Sequence, residues 1–532
     1  MRRSLRWLVV LAPLLLLALL AVPDVQARPG GGNTYRGSSS SRGSSSSSSS
    51  SSRCYSSSSS SSSRGYSSSS SSSGGGSSAG FFCCMMIVLI VFCIVVLQMR
   101  NRQKDWSTTV EPRRLPPEDW GTHPRREQRR GQPREMLTRL TRVGPPGPDG
   151  QPVPFDPDFS IVPFEDFLYA LYARAHEARG GGRVDTLAAY LSPMAREALK
   201  GLGTPAQVKA VVVGAMQYLS ASEVRPDSQR VSVSLRFEAN YTEVSPRGPE
   251  QSYYVAEEWT LSRATAVRSR PPDRSRVFKC PNCGAALDGM RGTTCSYCEQ
   301  KVDTGDFDWV VDGVTQLERE ARGPQLGGDT PEEGTDLPTV RHARVDEQLE
   351  ELLARDPALT REAFEQRLAL IFQELQVAWS NRRWEQVRPY VSDNLFQMQL
   401  YWMEAYRQAG LRNVTQNTRI IRVDVARVTS DKYYHALTVR LFATGLDFTV
   451  RDSDGRLVGG SQSRERRYSE YWTLIRGAGV RGPPRTDKNC PSCGAPLSIN
   501  MAGNCTHCSA KVTSGDFDWV LSRIEQDESY QG

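Results

Sequence analysis

The sequence predicts an α+β fold that occurs twice in one chain. Three observations predict it. Phe164, Leu168, Leu171, Tyr172 and Ala175 fall on one face of a helix, and Phe364, Leu368, Ile371, Phe372 and Leu375 repeat that stripe 200 positions later. Apolar alternation of strand period follows each helical region, an order that indicates helices layered on an antiparallel sheet rather than alternating βαβ units. The stretch KCPNCGAALDGMRGTTCSYCEQKVDTGDFDWV, residues 279–310, returns 210 positions on as NCPSCGAPLSINMAGNCTHCSAKVTSGDFDWV, residues 489–520.

The copies agree between these landmarks too. AAYLSP (188–193) lines up with RPYVSD (388–393), and EEWTLSR (257–263) with EYWTLIR (470–476), at offsets of 200 and 213 that loop-length changes absorb. In the first copy RVSVSLRFEANYTEV puts Val231, Val233, Leu235 and Phe237 on one face of a half-buried strand, and YYVAEEWTLSR supplies another. In the second, RIIRVDVARV, YYHALTVRLFATGLDFTV and YSEYWTLIRG supply three, with Asp454-Gly455 as a turn. The strand aromatics are read as core. A sheet curled over its helices leaves room for an apolar concavity between them.

At 532 residues the chain has room for several domains, and its 38% apolar content is lowered by a serine-rich block near the start. The first residues have a basic end (Arg2, Arg3, Arg6), an apolar run and small residues around Ala27, the pattern of a secretory signal peptide over 1–27. Residues 28–80 are almost wholly serine and glycine, a spacer with too few apolar groups to offset the entropy of ordering. FFCCMMIVLIVFCIVVLQ opens a predicted single transmembrane helix over 81–99. A basic, proline-rich linker over 100–150 follows, and between residues 100 and 142 it holds twelve Arg or Lys against six Asp or Glu. The positive-inside rule then places the C-terminal domains in the cytoplasm, with the linker drawn to anionic lipid headgroups.

Eight of the twelve cysteines lie in the two repeated stretches, while Cys83, Cys84 and Cys93 fall in the apolar run and Cys54 among serines. Cys280, Cys283, Cys295 and Cys298 form two C-x2-C pairs, as do Cys490, Cys493, Cys505 and Cys508. Four thiolates at this spacing suit a tetrahedral Zn2+ with a closed coordination sphere, and so predict two structural zinc ribbons rather than catalytic sites. Iron held in the same way is the alternative metal. His507, inside the last knuckle, is a conceivable substitute ligand made superfluous by the four sulfurs. The ribbons are near neutral, without the clustered cations that phosphate binding requires, so nucleic acid is not an expected partner. In the closing GDFDWV, Phe307 and Trp309, like Phe517 and Trp519, are expected on one face of an extended segment that packs each ribbon on its own domain.

A signal segment, spacer and single span followed by helices and a sheet ending in W-T-L-x-R resemble the bacterial relatives of the peripheral subunit of the mitochondrial inner-membrane protein translocase, the Tim-forty-four-like family. The resemblance covers roughly residues 154–264 and 345–478, and the cysteine ribbons resemble those of a zinc-ribbon transport branch. It implies two tandem cone-shaped domains, related to nuclear-transport-factor-like folds, each followed by a four-cysteine zinc ribbon. It also implies a membrane-side scaffold in protein transport at the bacterial inner membrane, with translocation machinery or a chaperone as partner. This chain departs from the family in having two cones and no recognisable chaperone-recruiting region.

The domain boundaries expected after the linker are 151–270 for the first cone, 276–320 for ribbon one, 321–342 for a linker, 343–482 for the second cone and 486–525 for ribbon two. The five histidines form no i,i+4 pair, and no H-E-x-x-H, G-x-S-x-G or phosphate-binding loop occurs, so no enzyme is predicted. His176 reads as lying opposite the apolar stripe of its helix, and His435 as preceding a strand. The alternative function is a small-ligand sensor or enzyme that uses one cone's pocket.

Overall fold

A computed structural model of the protein describes residues 132–323, 326, 334–527 and 529–532. The expected signal peptide, spacer and membrane helix, with the linker up to residue 131, lie outside the described residues. Among the described residues no helix is long and apolar enough to cross a membrane.

The first described element, α1 (Gln132–Thr138), lies in the stretch expected to be linker and runs into a 3-10 turn at Arg139–Thr141. Leu137 and Leu140 anchor it, since both are buried.

Module one continues with α2 (Ile161–Arg179), α3 (Pro193–Gly201), β1 (Gln207–Ala221), β2 (Arg230–Val244) and β3 (Glu250–Ala264). Its ribbon carries β4 (Met290–Arg291) and β5 (Thr294–Cys295), and β6 (Val310–Glu320) follows. Module two adds a leading helix, α4 (Val345–Arg355), and then repeats the order with α5 (Arg361–Asn381), α6 (Asp393–Gln408), β7 (Leu411–Ser430), β8 (Tyr434–Arg451), β9 (Leu457–Gly477) and, after ribbon two, β10 (Val520–Gln526). Helix starts are set locally. Ser192 and Ser392 cap α3 and α6 by accepting from Ala195 N at 3.1 Å and Leu395 N at 3.3 Å, and Thr360 caps α5 in the same way.

Each module builds one antiparallel sheet, in the orders β1-β2-β3-β6 and β7-β8-β9-β10. The stripes on α2 and α5 are buried throughout, as are Val231, Val233, Leu235 and Phe237 on β2. Tyr172 meets Trp259 at 5.1 Å between ring centroids, and the matching pair Phe372 and Trp472 meet at 5.9 Å. Burying side chains of this size contributes on the order of 3 kcal/mol each. Each indole N–H is satisfied from its own strand: Trp259 donates to Glu257 and Trp472 to Glu470, both at 2.9 Å. Residues two apart share a strand face, which accounts for the acid two positions before the tryptophan in both copies of the motif.

The fourth strand departs from the sequence reading. Residues 310–320, counted with ribbon one, are a strand of module one's sheet, and β10 is its counterpart in module two. Each ribbon is therefore an insertion between the last two strands of a sheet. β6 and β10 carry too little period-two pattern to stand out, because their ladders are interrupted by bulges. The loops before α3 and α6 cover the start of each fourth strand, with Ser192 N donating to Val311 O and Ser392 N to Leu521 O, both at 2.9 Å.

Candidate metal centres and the segments that seat them

The eight predicted cysteines come together as two sets of four, and in each set the ligand atoms lie within 4.8 Å of one another. Among the described residues these are the groups of three or more His, Cys, Asp or Glu placed to share an ion. Sγ–Sγ separations are 3.8 Å for Cys280–Cys298, 3.8 Å for Cys283–Cys295 and 3.9 Å for Cys490–Cys508. A disulfide brings its sulfurs to about 2.05 Å, so none of these pairs is bonded. Four sulfurs about 2.3 Å from a central zinc stand about 3.8 Å apart along the edges of the tetrahedron. The donor sets therefore fit such an ion.

Local backbone geometry makes the sets. In each knuckle the first cysteine's carbonyl accepts an N–H from the residue after the second: Gly284 and Gly494 at 2.8 and 2.9 Å, Glu299 and Ser509 at 2.9 Å each. All four of those residues have left-handed backbone, at φ 75°, 74°, 58° and 62°. Glu299 and Ser509 thus adopt without a glycine's freedom the conformation that Gly284 and Gly494 take at no cost. Cys280, Cys295, Cys490 and Cys505 are buried, and burial pushes the Cys280 thiol up to about 12. The Asn282 side chain, through its hydrogen bond, draws Cys298 down to about 6. His507 is exposed and outside its set; its backbone N–H donates to Cys505 Sγ at 3.4 Å.

The closing GDFDWV is a series of bends up to its tryptophan rather than an extended segment. Gly305 and Gly515, at φ 74° and 85°, turn the chain back so that their carbonyls accept from Ala264 and Gly477 at the end of β3 and β9, both at 2.8 Å. A Cβ on Gly305 would stand 2.4 Å from the Arg230 guanidinium. The second aspartate ties the exit of the ribbon to its entry. Asp308 pairs with Arg270 at 2.7 Å, and Asp518 accepts from the backbone of Arg485 at 2.7 Å. Phe517 packs on the ribbon core of Cys490, Cys505 and Val512. Trp309 and Trp519 turn instead into their modules, against Phe164 at 4.8 Å and Phe364 at 5.5 Å.

The arginine of W-T-L-x-R then locks that tryptophan. Arg263 lies over the Trp309 ring at 5.0 Å and pairs with buried Asp156 at 2.8 Å. Arg476 lies over Trp519 at 6.0 Å and pairs with Asp356 at 3.1 Å.

One polar cluster lies deep in module one. His176 is on the buried face of α2, one turn from Tyr172, and not opposite the stripe as expected. Its Nε2 is 3.1 Å from Glu257 Oε2, and its ring stacks on Tyr241 at 5.0 Å. Burial alone would raise the Glu257 carboxyl, but the charge and hydrogen bond of His176, with Trp259, hold it below the usual carboxylate range. Gln376 stands at the matching place in module two. Of the other described histidines, His342 meets Glu135, and His435 lies near the start of β8 with Nδ1 2.9 Å from Ser430 Oγ.

Residues 345–484 match the Tim44-like domain family. None of the curated proteins compared with the chain matches it. Among solved structures, an Ntf2-like protein involved in plasmid conjugation aligns at a TM-score of 0.17 and 7% identity, over 68% of this chain and 94% of that one.

Proposed function

We propose, from a chain whose residues 345–484 are a Tim44-like domain, that the protein is a non-enzymatic scaffold at the bacterial inner membrane. Its two helix-and-sheet modules are read as cones on the cytoplasmic side that bind a protein, a peptide or lipid in the course of protein transport. The Tim44-like domain is the observation that carries this reading. The single span and basic linker expected from residues 81–150 would hold the modules beside the bilayer.

Two structural Zn2+ ions are proposed for the cysteine sets. The supporting observation is the closed ring of four sulfurs at tetrahedral spacing. Bound zinc would supply cross-linking free energy on the order of 10–16 kcal/mol, and no chemistry beyond that. Cys490, Cys505 and Val512 are the buried members of ribbon two's small core, so its fold has little else to rest on. The residues around each site orient the ribbon: the second aspartate of GDFDWV clasps the ribbon's ends, and the tryptophan anchors them in the sheet module.

A second reading, a small-ligand sensor or enzyme, has one observation in its favour: the buried His176–Glu257 pair that module two lacks. Crosslinking in intact cells from a photoreactive residue at exposed Val377 on module two's α5 separates the two. Enrichment of translocation components or chaperones is expected. A small molecule retained through purification, with no protein crosslink, would overturn the scaffold reading in favour of the second. Metal analysis of the purified chain should return two zinc per chain, matching the two cysteine sets; iron in their place would correct the metal alone.

A further inference from the structure

We infer that the metal of ribbon two, beyond folding its own ribbon, holds the two modules together. The inference rests on the structural-metal reading above. Two paths lead from ribbon two into module one, and ribbon one has the counterpart of neither.

The first path is the strand that leaves the ribbon. β10 starts at Val520, which lies with Tyr434, Ala436 and Ile475 in the apolar cluster of module one rather than that of module two alone. Three residues on, Arg523 pairs across the joint with Glu165 in the first turns of α2. Glu165 is 5% exposed and also takes Arg134 at 3.2 Å and the Tyr218 hydroxyl at 3.2 Å. A carboxylate so enclosed is costly to leave without its cations, which makes the position of β10 a condition for a stable joint.

The second path is a lysine inside the ribbon. Lys511 Nζ donates to both carboxylate oxygens of Asp393 at 2.9 Å, and Thr513 adds a hydrogen bond at 3.3 Å. Asp393 also accepts from Arg388 of its own module and from Arg276, at the entry to ribbon one, at 3.3 Å. Its neighbour Asn394 donates to Asp166 on α2. The start of α6 is therefore held on one side by ribbon two and on the other holds module one.

Ribbon one repeats the cysteines without this wiring. Lys301 matches Lys511, but Pro193 stands where module two has Asp393, and Gly313 stands where β10 has Arg523. The Lys301 ammonium is 3.9 Å from Asp303 within its own ribbon.

Hydrogen–deuterium exchange on the full chain in detergent, with metal content measured on the same samples, tests the inference. Cys505→Ser with Cys508→Ser should take the metal count from two to one and speed exchange over residues 161–168 and 393–400 by about tenfold, while β8 stays protected. Cys295→Ser with Cys298→Ser should also remove one metal, yet leave residues 393–400 within about twofold of the parent. Metal lost from ribbon two with the joint unchanged overturns the inference and leaves the metal reading standing. A parent chain without metal overturns the metal reading and this inference together. Where the cysteine variant also loses β8 protection, Lys511→Met decides: with both metals retained it should still speed exchange at residues 393–400, and unchanged exchange there overturns the coupling.

Discussion

Arg367 on α5 donates from Nε and Nη2 to the carbonyl oxygen of Trp519, at 3.2 and 3.0 Å, just as the chain leaves ribbon two. Its Nη1 reaches the carbonyl of Arg485 at 3.0 Å, just before the chain enters that ribbon. One buried guanidinium thus holds both ends of the insertion. Module one has Phe167 at the matching place, packed on Phe278 at 5.8 Å and Tyr190 at 6.0 Å, so an apolar contact does there what three hydrogen bonds do in module two. Arg367→Met should cost about 2–4 kcal/mol, because two carbonyls and Asp518 lose their donor. Limited proteolysis should show faster cleavage near residues 483–489, with both metals kept. An unchanged cleavage rate would mean that the metal alone fixes the ribbon ends.

The Asp356–Arg476 pair is the inner lock of module two, with side-chain exposures of 7% and 3%. Asp356→Ala strands a buried cation and should destabilise module two by about 3–5 kcal/mol. Replacing both residues, Asp356→Leu with Arg476→Met, should recover much of that loss, since no charge is then left unpaired. Denaturant unfolding of the single and double variants gives the coupling directly, and simple additivity would refute the lock.

Asp166 gives the joint a pH dependence. Burial pushes its carboxyl up to about 6, with Arg276 and Arg523 opposing and Asp393 and Glu165 adding to the shift. The folded value lies above the unfolded one, so the folded state binds the extra proton in that window. Stability from this group therefore falls as pH rises from about 4 to about 6 and is level above that. Asp166→Asn keeps an acceptor for Asn394 and removes the ionisation. It should raise the unfolding midpoint at pH 7.5, by on the order of 1 kcal/mol, and flatten the slope between pH 4.5 and 6.5. An equal slope in the variant would assign that titration to another group.

Ser509 holds φ 62° in the last knuckle, a conformation in which a side chain is strained and glycine is not. Ser509→Gly should stabilise ribbon two by about 0.5–1 kcal/mol, read as a higher chelator concentration needed to strip half of its metal. Weaker metal retention would show that the serine makes a compensating contact.

The duplication, the stripes on α2 and α5, the inward face of β2 and both cysteine sets were legible in the sequence. Each is a local periodicity or a short spacing, and neighbours along the chain suffice to specify it. His176 stands four residues after Tyr172, so the helical period itself puts it on the stripe's face and the expectation misassigned it; its partner Glu257, 81 residues away, is what the sequence could not show. The function of GDFDWV was half legible: its aromatics announced an anchor, but an extended segment was expected where the chain bends. That Phe517 turns to its ribbon and Trp519 to its module depends on where β9 ends.

By itself the sequence determined that one helix-and-sheet unit with a thiolate ribbon occurs twice, because repetition and side-chain period survive without coordinates. Only the tertiary structure decided that each ribbon interrupts a sheet, that Asp156 finds Arg263 across 107 residues, and that ribbon two reaches the joint through Lys511 and Arg523. The physical reason is the same in each case. Buried charges and strand edges are satisfied by whatever the fold brings beside them, and proximity in space is not written in proximity along the chain.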